Sequence, residues 1–144
     1  KALIDGYFRT YPQIREYIDH SIEKAREQGY VTTIMGRKRM LPDISSRNAT
    51  VRGYAERNAV NAPLQGSAAD IIKRAMIDIF DDMNRLGLQS RMIMQVHDEL
   101  IFDVVPAELA SLQQIVTSRM ENAYHGKVAL EVSSGVGANW LEAH

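Results

Sequence analysis

The sequence contains no cysteine and no long apolar run. The absence of cysteine excludes disulfides and thiolate chemistry, and it fits a reducing cytoplasm. No apolar segment approaches the ~20 residues that cross a bilayer, and no signal-peptide pattern opens the chain, so no membrane partner is expected. With 45% hydrophobic and 24% charged residues among 144, the composition is that of a globular protein with one ordinary domain.

The chain also lacks a strong net charge, since its formal value is -1. This value argues against a uniformly basic nucleic-acid binder, but the charges are unevenly distributed. Residues 37–57 contain six Lys or Arg and two acidic residues, whereas residues 98–122 contain five acidic residues and one Arg. Such a division suits a protein that holds phosphates with one surface and metal with another, and it equally suits two ordinary solvated faces.

Hydrophobic periodicity predicts an α+β domain with no linker, in which antiparallel hairpins pack against long helices. The predicted helices cover residues 2–10, 12–28, about 47–86 and a segment that begins at Pro106; the predicted strands cover 30–34 with 40–41, 91–96, 99–105 and 128–132. Ser45 or Ser46 is the expected cap of the long helix. Pro63 is expected to kink or break that helix, because it cannot donate a backbone hydrogen bond.

Two adjacent carboxylates and a histidine separate two apolar strands. Met92 to Val96 and Leu100 to Val105 are predicted to be buried, with a tight turn at His97-Asp98 that carries Asp98 and Glu99 to an edge. Ionised carboxylates beside buried strands are costly unless a cation neutralises them, so a divalent metal or a basic partner is expected. A solvated acidic turn is the alternative. If the second strand continues regularly, Glu99 points away from Asp98.

His97 precedes these acids, and from the residues alone it is a hydrogen-bonded turn histidine. A zinc site made of His97, Asp98 and Glu99 is disfavoured, because three consecutive residues do not easily converge on one tetrahedral ion. No HExxH motif or Cys/His spacing accompanies them.

Arg57, Asn61 and Gln65 are four residues apart and share one helical face, since each step drifts by only about 40°. Arginine can bind a phosphate, while the two amides can contact base edges or sugars. A solvated polar face is the alternative. Small residues surround them, which permits close approach of a ligand or tight helix packing: Ala59, Ala62, Gly66, Ala68 and Ala69. The basic residues 37–39 could contact phosphate or simply solubilise a turn.

Several segments resemble family A DNA polymerases of the bacterial polymerase I type. Residues 95–100 (QVHDEL) resemble motif C of that family, and residues 55–70 resemble the helix that precedes it. Residues 29–44 resemble the hairpin between fingers and palm, and residues 139–144 resemble the family's C-terminus. The resemblance covers essentially the whole chain, with the motifs in the family's order.

This resemblance implies a single C-terminal palm and fingers-base segment, with fingers-side helices and hairpin at about 1–60 and palm at about 61–144. The implied activity is template-directed transfer of nucleotides from dNTPs to a primer 3′-hydroxyl. Asp98 would bind Mg²⁺ (or Mn²⁺) as the catalytic carboxylate, with Glu99 as a secondary one. His97 would lie against the primer-terminal nucleotide, and Arg57, Asn61 and Gln65 would contact the nucleic acid.

The family's motif A and its nucleotide-binding fingers helix have no match here, so the 144 residues alone are expected to be inactive. The start at Lys1, without an initiator methionine, suggests an excised C-terminal fragment. The implied partners are primer-template DNA, a dNTP, the remainder of the polymerase chain and, for an exposed fragment, another copy of itself. A cytoplasmic, nucleoid-associated bacterial location is implied. The alternative is a non-catalytic nucleic-acid-binding or structural module; a metal-dependent hydrolase would need further ligands.

Overall fold

The structure is a computed structural model that describes residues 2–143, so Lys1 at the predicted fragment start and His144 of the predicted C-terminal motif lie outside it. The elements in order are α1 (Ala2–Thr10), α2 (Pro12–Gln28), β1 (Tyr30–Thr32), β2 (Lys38–Met40), α3 (Ala49–Arg85), β3 (Arg91–Val96), β4 (Glu99–Asp103), a 3₁₀ turn (Pro106–Glu108), α4 (Leu109–Glu121) and α5 (Trp140–Ala143). Helices with two antiparallel hairpins confirm the α+β class. None of the helices in residues 2–143 is long and apolar enough to cross a membrane.

Two compact units divide the chain, one ending at Ser67 and the other beginning at Ala68. The predicted boundary between fingers-side and palm segments near residue 60 remains a prediction. Helix α3 contributes residues to both units.

The first unit is built from α1, α2, the β1–β2 hairpin and the first part of α3. Pro12 opens α2 and Gly29 ends it at φ 78°, a left-handed conformation that glycine adopts without strain. The buried core combines residues from α2, the hairpin and α3: Ala25, Val31, Leu41, Ile44, Ala55, Ala59 and Ala62. A Cβ at Gly66 would meet Thr33 Cγ2 at 2.6 Å. The small residues of α3 at 55, 59, 62 and 66 therefore serve close packing.

One prediction about α3 is wrong, and another is wrong in part. Its N-terminus is capped by Asn48, whose Oδ1 accepts hydrogen bonds from Thr50 N (3.0 Å) and Val51 N (3.3 Å), rather than by Ser45 or Ser46. The helix also continues through Pro63, so the predicted break is wrong, whereas the predicted kink stays a prediction. The neighbouring residues Ala59 and Ala62 are buried, and tertiary packing of this kind supplies most of the stability of helices in proteins.

The second unit packs the β3–β4 hairpin and α4 against the later turns of α3. Ala75, Ile79, Met83 and Leu112 are buried, and one face of the hairpin packs on them. Gly87 ends α3 at φ 67°, and Leu88 N donates to Met83 O over 3.0 Å, the geometry of a Schellman cap.

Two strand predictions in this unit are also wrong. Residues 128–132 form no strand, and Val128 is 82% exposed. A strand needs a neighbouring backbone to pair with, which alternation in a sequence does not supply. The hairpin strands are also not buried as predicted, because Ile93 and Met94 of β3 are 60% and 43% exposed and β4 is at most half-buried. Within residues 2–143 the core of this unit packs on Met92, Leu100 and Phe102 of this two-stranded sheet, while Ile93 and Met94 stay exposed.

Candidate functional site

The tip of the β3–β4 hairpin is a two-residue turn under backbone strain. Val96 pairs with Glu99, and His97 and Asp98 lie between them. His97 has φ 52° and is the one non-glycine residue within 2–143 with positive φ. Positive φ at the first turn position alone is typical of a type II′ hairpin turn, where glycine is usual. An L-residue there costs about 1–2 kcal/mol, and such strain concentrates at functional sites.

The two carboxylates occupy different surroundings. Asp98 is exposed in the turn, whereas Glu99 is the half-buried first residue of β4. Glu99 alternates with Leu100, which packs on the core, so it belongs to the opposite face of the hairpin. Asp98 precedes the strand, so the expectation that Glu99 points away from Asp98 stays a prediction. In the part of the chain that the structure describes, no three His, Asp or Glu side chains form a group that could hold a metal.

A β-bulge interrupts the hairpin between its base and its tip. Met92 pairs with Phe102 and Met94 pairs with Ile101, which leaves Ile93 as the additional residue. Bulges re-aim side chains and are frequent beside active sites. The bulge therefore sets the direction in which the upper hairpin carries Asp98.

The base of the hairpin is held by Glu108, a residue with no predicted role. Its carboxylate accepts from Gln89 N (2.9 Å), Ser90 N (2.9 Å) and Ser90 Oγ (2.6 Å). The hydrogen bond from Gln89 N, followed by those from Ser90, holds the pKa of Glu108 below its usual range. The only sequence signal was an acidic residue two positions after the helix-starting Pro106.

The predicted nucleic-acid face lies on the exposed side of α3 in the first unit. Arg57, Asn61 and Gln65 are all exposed, and they alternate with the buried residues Ala59 and Ala62. None of the three side chains is engaged in a hydrogen bond or ion pair within residues 2–143. They are therefore available to a ligand, and they belong to a different unit from the hairpin tip.

The basic turn at 37–39 has partly structural contacts. Arg37 Nη2 donates to Gly66 O over 3.1 Å, and Lys38 Nζ lies 4.5 Å from the centroid of the Tyr30 ring. Arg37 thus joins the β1–β2 hairpin to α3, and Lys38 in β2 contacts the neighbouring strand β1.

Comparison with known proteins identifies the family. The sequence model for DNA polymerase family A matches residues 1–142. The chain is 46% identical over 143 residues to DNA polymerase I of Streptococcus pneumoniae serotype 4, covering 99% of this chain and 16% of that protein. It is 47% identical over 137 residues to DNA polymerase I of Mycobacterium tuberculosis H37Rv, covering 95% and 15%.

Among solved structures, the chain is similar to the POL domain of Pol1 from M. smegmatis in complex with DNA primer-template and dNTP. The TM-score is 0.96 at 47% identity, covering 99% of this chain and 25% of that one. The chain thus spans about 16% of the length of the curated relatives that it matches. On a match of the family model to residues 1–142, the chain belongs to DNA polymerase family A.

Proposed function

We propose that this chain supplies part of the palm and the base of the fingers in a DNA polymerase of the polymerase I type. That enzyme would extend a primer by template-directed transfer of nucleotides from dNTPs. The observation that carries the proposal is an exposed Asp98 on a strained hairpin turn, in a chain that matches the family over residues 1–142. The complex of the similar Pol1 domain with primer-template and dNTP supports the same partners.

Asp98 fits one ligand position of a Mg²⁺ site. Mg²⁺ prefers oxygen ligands and is usually held by one or two carboxylates together with substrate phosphates, and Mn²⁺ accepts the same ligands. When bound, the metal would acidify the primer 3′-hydroxyl and neutralise charge on the phosphates. The turn holds the Asp98 carboxylate in solvent, where a substrate can reach it, and Glu99 lies next to it as the secondary carboxylate.

His97 and the α3 face would hold the nucleic acid. We assign His97 to the primer-terminal nucleotide, because it shares the turn with Asp98. Asn61 and Gln65 would contact minor-groove acceptors, which are nearly the same for all base pairs, and Arg57 would bind a phosphate. Such contacts check the geometry of a pair without selecting a sequence.

The 144 residues alone are proposed to be inactive, since the sequence contains no match to motif A. The test is primer extension with Mg²⁺ by a full-length polymerase carrying this segment and by the 144-residue chain. Asp98→Asn should abolish extension by the full-length enzyme, whereas Asp103→Asn, at the far end of β4, should leave it unchanged. The 144-residue chain should give no extension.

Extension by the 144-residue chain that depends on Asp98 would contradict the proposed inactivity. DNA binding without any Asp98-dependent extension in the full-length protein would favour the alternative, a non-catalytic nucleic-acid-binding module. We also propose a cytoplasmic, nucleoid-associated location for the full-length enzyme, because a polymerase acts where the bacterial DNA lies.

Exposed apolar side chains support contacts with the remainder of the polymerase chain. Leu3 is 89% exposed and Ile93 is 60% exposed. Without that remainder, the 144 residues should self-associate, which light scattering over a range of concentrations would detect.

A further inference from the structure

The base of the β3–β4 hairpin is closed by a ring of three hydrogen bonds. Ser90 Oγ donates to Glu108 Oε2 over 2.6 Å, and Glu108 N donates to Val105 O over 2.8 Å. Val105 N completes the ring by donating to Ser90 Oγ over 3.0 Å. Ser90 immediately precedes β3, Val105 follows β4, and Glu108 leads into α4. The ring therefore ties both legs of the hairpin to the start of a helix.

This ring is made of strong and directional contacts. The Glu108 carboxylate also accepts the backbone N–H groups of Gln89 and Ser90, and hydrogen bonds to an ionised acceptor are roughly twice as strong as neutral ones. Ser90 is only 5% exposed, so its hydroxyl would be costly to leave unpaired. The lowered pKa of Glu108 keeps it ionised at neutral pH.

Apolar packing alone does not fix the hairpin in this way. Met92, Leu100 and Phe102 pack on the core of the second unit, but hydrophobic contact is non-directional. The bulge at Ile93 already shifts the strand pairing near the base of the hairpin relative to the pairing near its tip. A slip of one residue would turn every side chain of a strand to the other face. Because one face of the hairpin is packed on the core, packing already opposes such a slip, and the ring adds directional contacts that hold the base of the hairpin against tilting.

We propose that Glu108, acting through Ser90, is a positioning residue for Asp98. The inference rests on the proposed function. The six residues of β3 place the tip roughly 20 Å from the ring, so a tilt of about 3° at the base moves the tip by about 1 Å. A misplacement of about 1 Å can cost about 100-fold in rate.

The test uses a full-length polymerase carrying this segment and the variants Glu108→Gln, Ser90→Ala and both together. Asp82→Asn is the matched control, because it neutralises another hydrogen-bonded carboxylate of the same unit without touching the hairpin. For each protein we would measure the single-turnover rate at saturating dNTP, the primer-template Kd, the Mg²⁺ concentration at half-maximal rate, and Tm.

Glu108→Gln and Ser90→Ala should each lower the rate by about tenfold or more and raise the Mg²⁺ requirement, with DNA affinity unchanged. The double variant should lose no more activity than the more damaging of the two single variants, because both changes break the same ring. Asp82→Asn should lower Tm while leaving the rate and the Mg²⁺ requirement unchanged.

The inference is overturned if Glu108→Gln and Ser90→Ala lower only Tm and keep the parent rate and Mg²⁺ requirement. Failure of both to fold would also overturn it, since the ring would then hold the whole unit rather than the tip. If Asp98→Asn in the otherwise unchanged polymerase has no effect on extension, the proposed function fails instead, so the two failures are distinguishable.

Discussion

Arg119 Nε donates to Asp82 Oδ2 over 2.7 Å, and this ion pair joins α4 to the last turns of α3. Arg85 Nη2 binds the other carboxylate oxygen, also at 2.7 Å. The hydrogen bond from Arg119, followed by that from Arg85, lowers the pKa of Asp82 to about 2, while desolvation opposes the shift. The carboxylate thus joins two helices, α3 and α4.

This junction predicts a loss of stability at acid pH. Because the folded pKa of Asp82 lies below its unfolded value of 3.8, its contribution is fully present above about pH 4 and is lost as the pH falls towards 2. Asp82→Asn should lower the free energy of unfolding at pH 7, and its difference from the parent should shrink between pH 4 and pH 2. Urea denaturation at several pH values measures this difference.

The control for that experiment is Asp19→Asn, since Asp19 and Arg15 form an exposed i,i+4 ion pair away from the junction. Surface pairs of this kind contribute little, so the control should be nearly neutral at every pH. A difference between Asp82→Asn and the parent that stays constant from pH 7 to pH 2 would contradict the assignment.

The left-handed backbone of His97 predicts an unusual order of stabilities. His97→Gly should be more stable than His97→Ala by about 1 kcal/mol, because glycine adopts φ 52° without strain. Thermal unfolding of the two variants tests the order. The same pair separates backbone from side chain in catalysis: equal loss of primer extension by both would assign the loss to the missing imidazole. Greater stability of the alanine variant would contradict the strained turn.

The different surroundings of Asp98 and Glu99 predict unequal effects on catalysis. In a full-length polymerase, Asp98→Ala should reduce the polymerisation rate far more than DNA affinity, because a metal ligand acts chiefly in the transition state. Glu99→Ala should be milder. Pre-steady-state rates in which Glu99→Ala is the more damaging change would reverse the assignment.

The exposed face of α3 predicts effects on the primer terminus. Asn61→Ala or Gln65→Ala should weaken extension and change mismatch discrimination with little dependence on sequence. Arg57→Ala should weaken DNA binding uniformly and lower the salt slope by roughly one phosphate contact. Affinity against salt, with extension from matched and mismatched termini, measures both effects.

Asn84→Ala, the same change at an exposed position near the end of α3, is the control for the amide variants. If the variants at 57, 61 and 65 behave like this control in both assays, each within about ±0.5 kcal/mol of the parent stability, the face is only solvated. That outcome would refute the proposed contacts with DNA.

The sequence by itself determined the features that depend on local chemistry. Pro12 and Gly29 bound α2, Gly87 ends α3, and the two-residue turn at 97–98 was predicted from the apolar runs on either side of it. The order of its motifs was enough to indicate the polymerase family, which the family match confirms. Such signals survive in any context, because they arise from backbone conformation and from side chains a few residues apart.

Only the tertiary structure decided the features that depend on distant partners. A break of α3 at Pro63 was one of two predicted outcomes, and the helix continues there. A strand at 128–132 and a buried β3 were predicted, and both predictions are wrong in the described chain. The ring of Ser90, Val105 and Glu108 could not be predicted either, because it joins residues 15 and 18 positions apart. Pairing, burial and side-chain bonds are set by which surfaces meet, and periodicity in a sequence specifies a face without specifying what covers it.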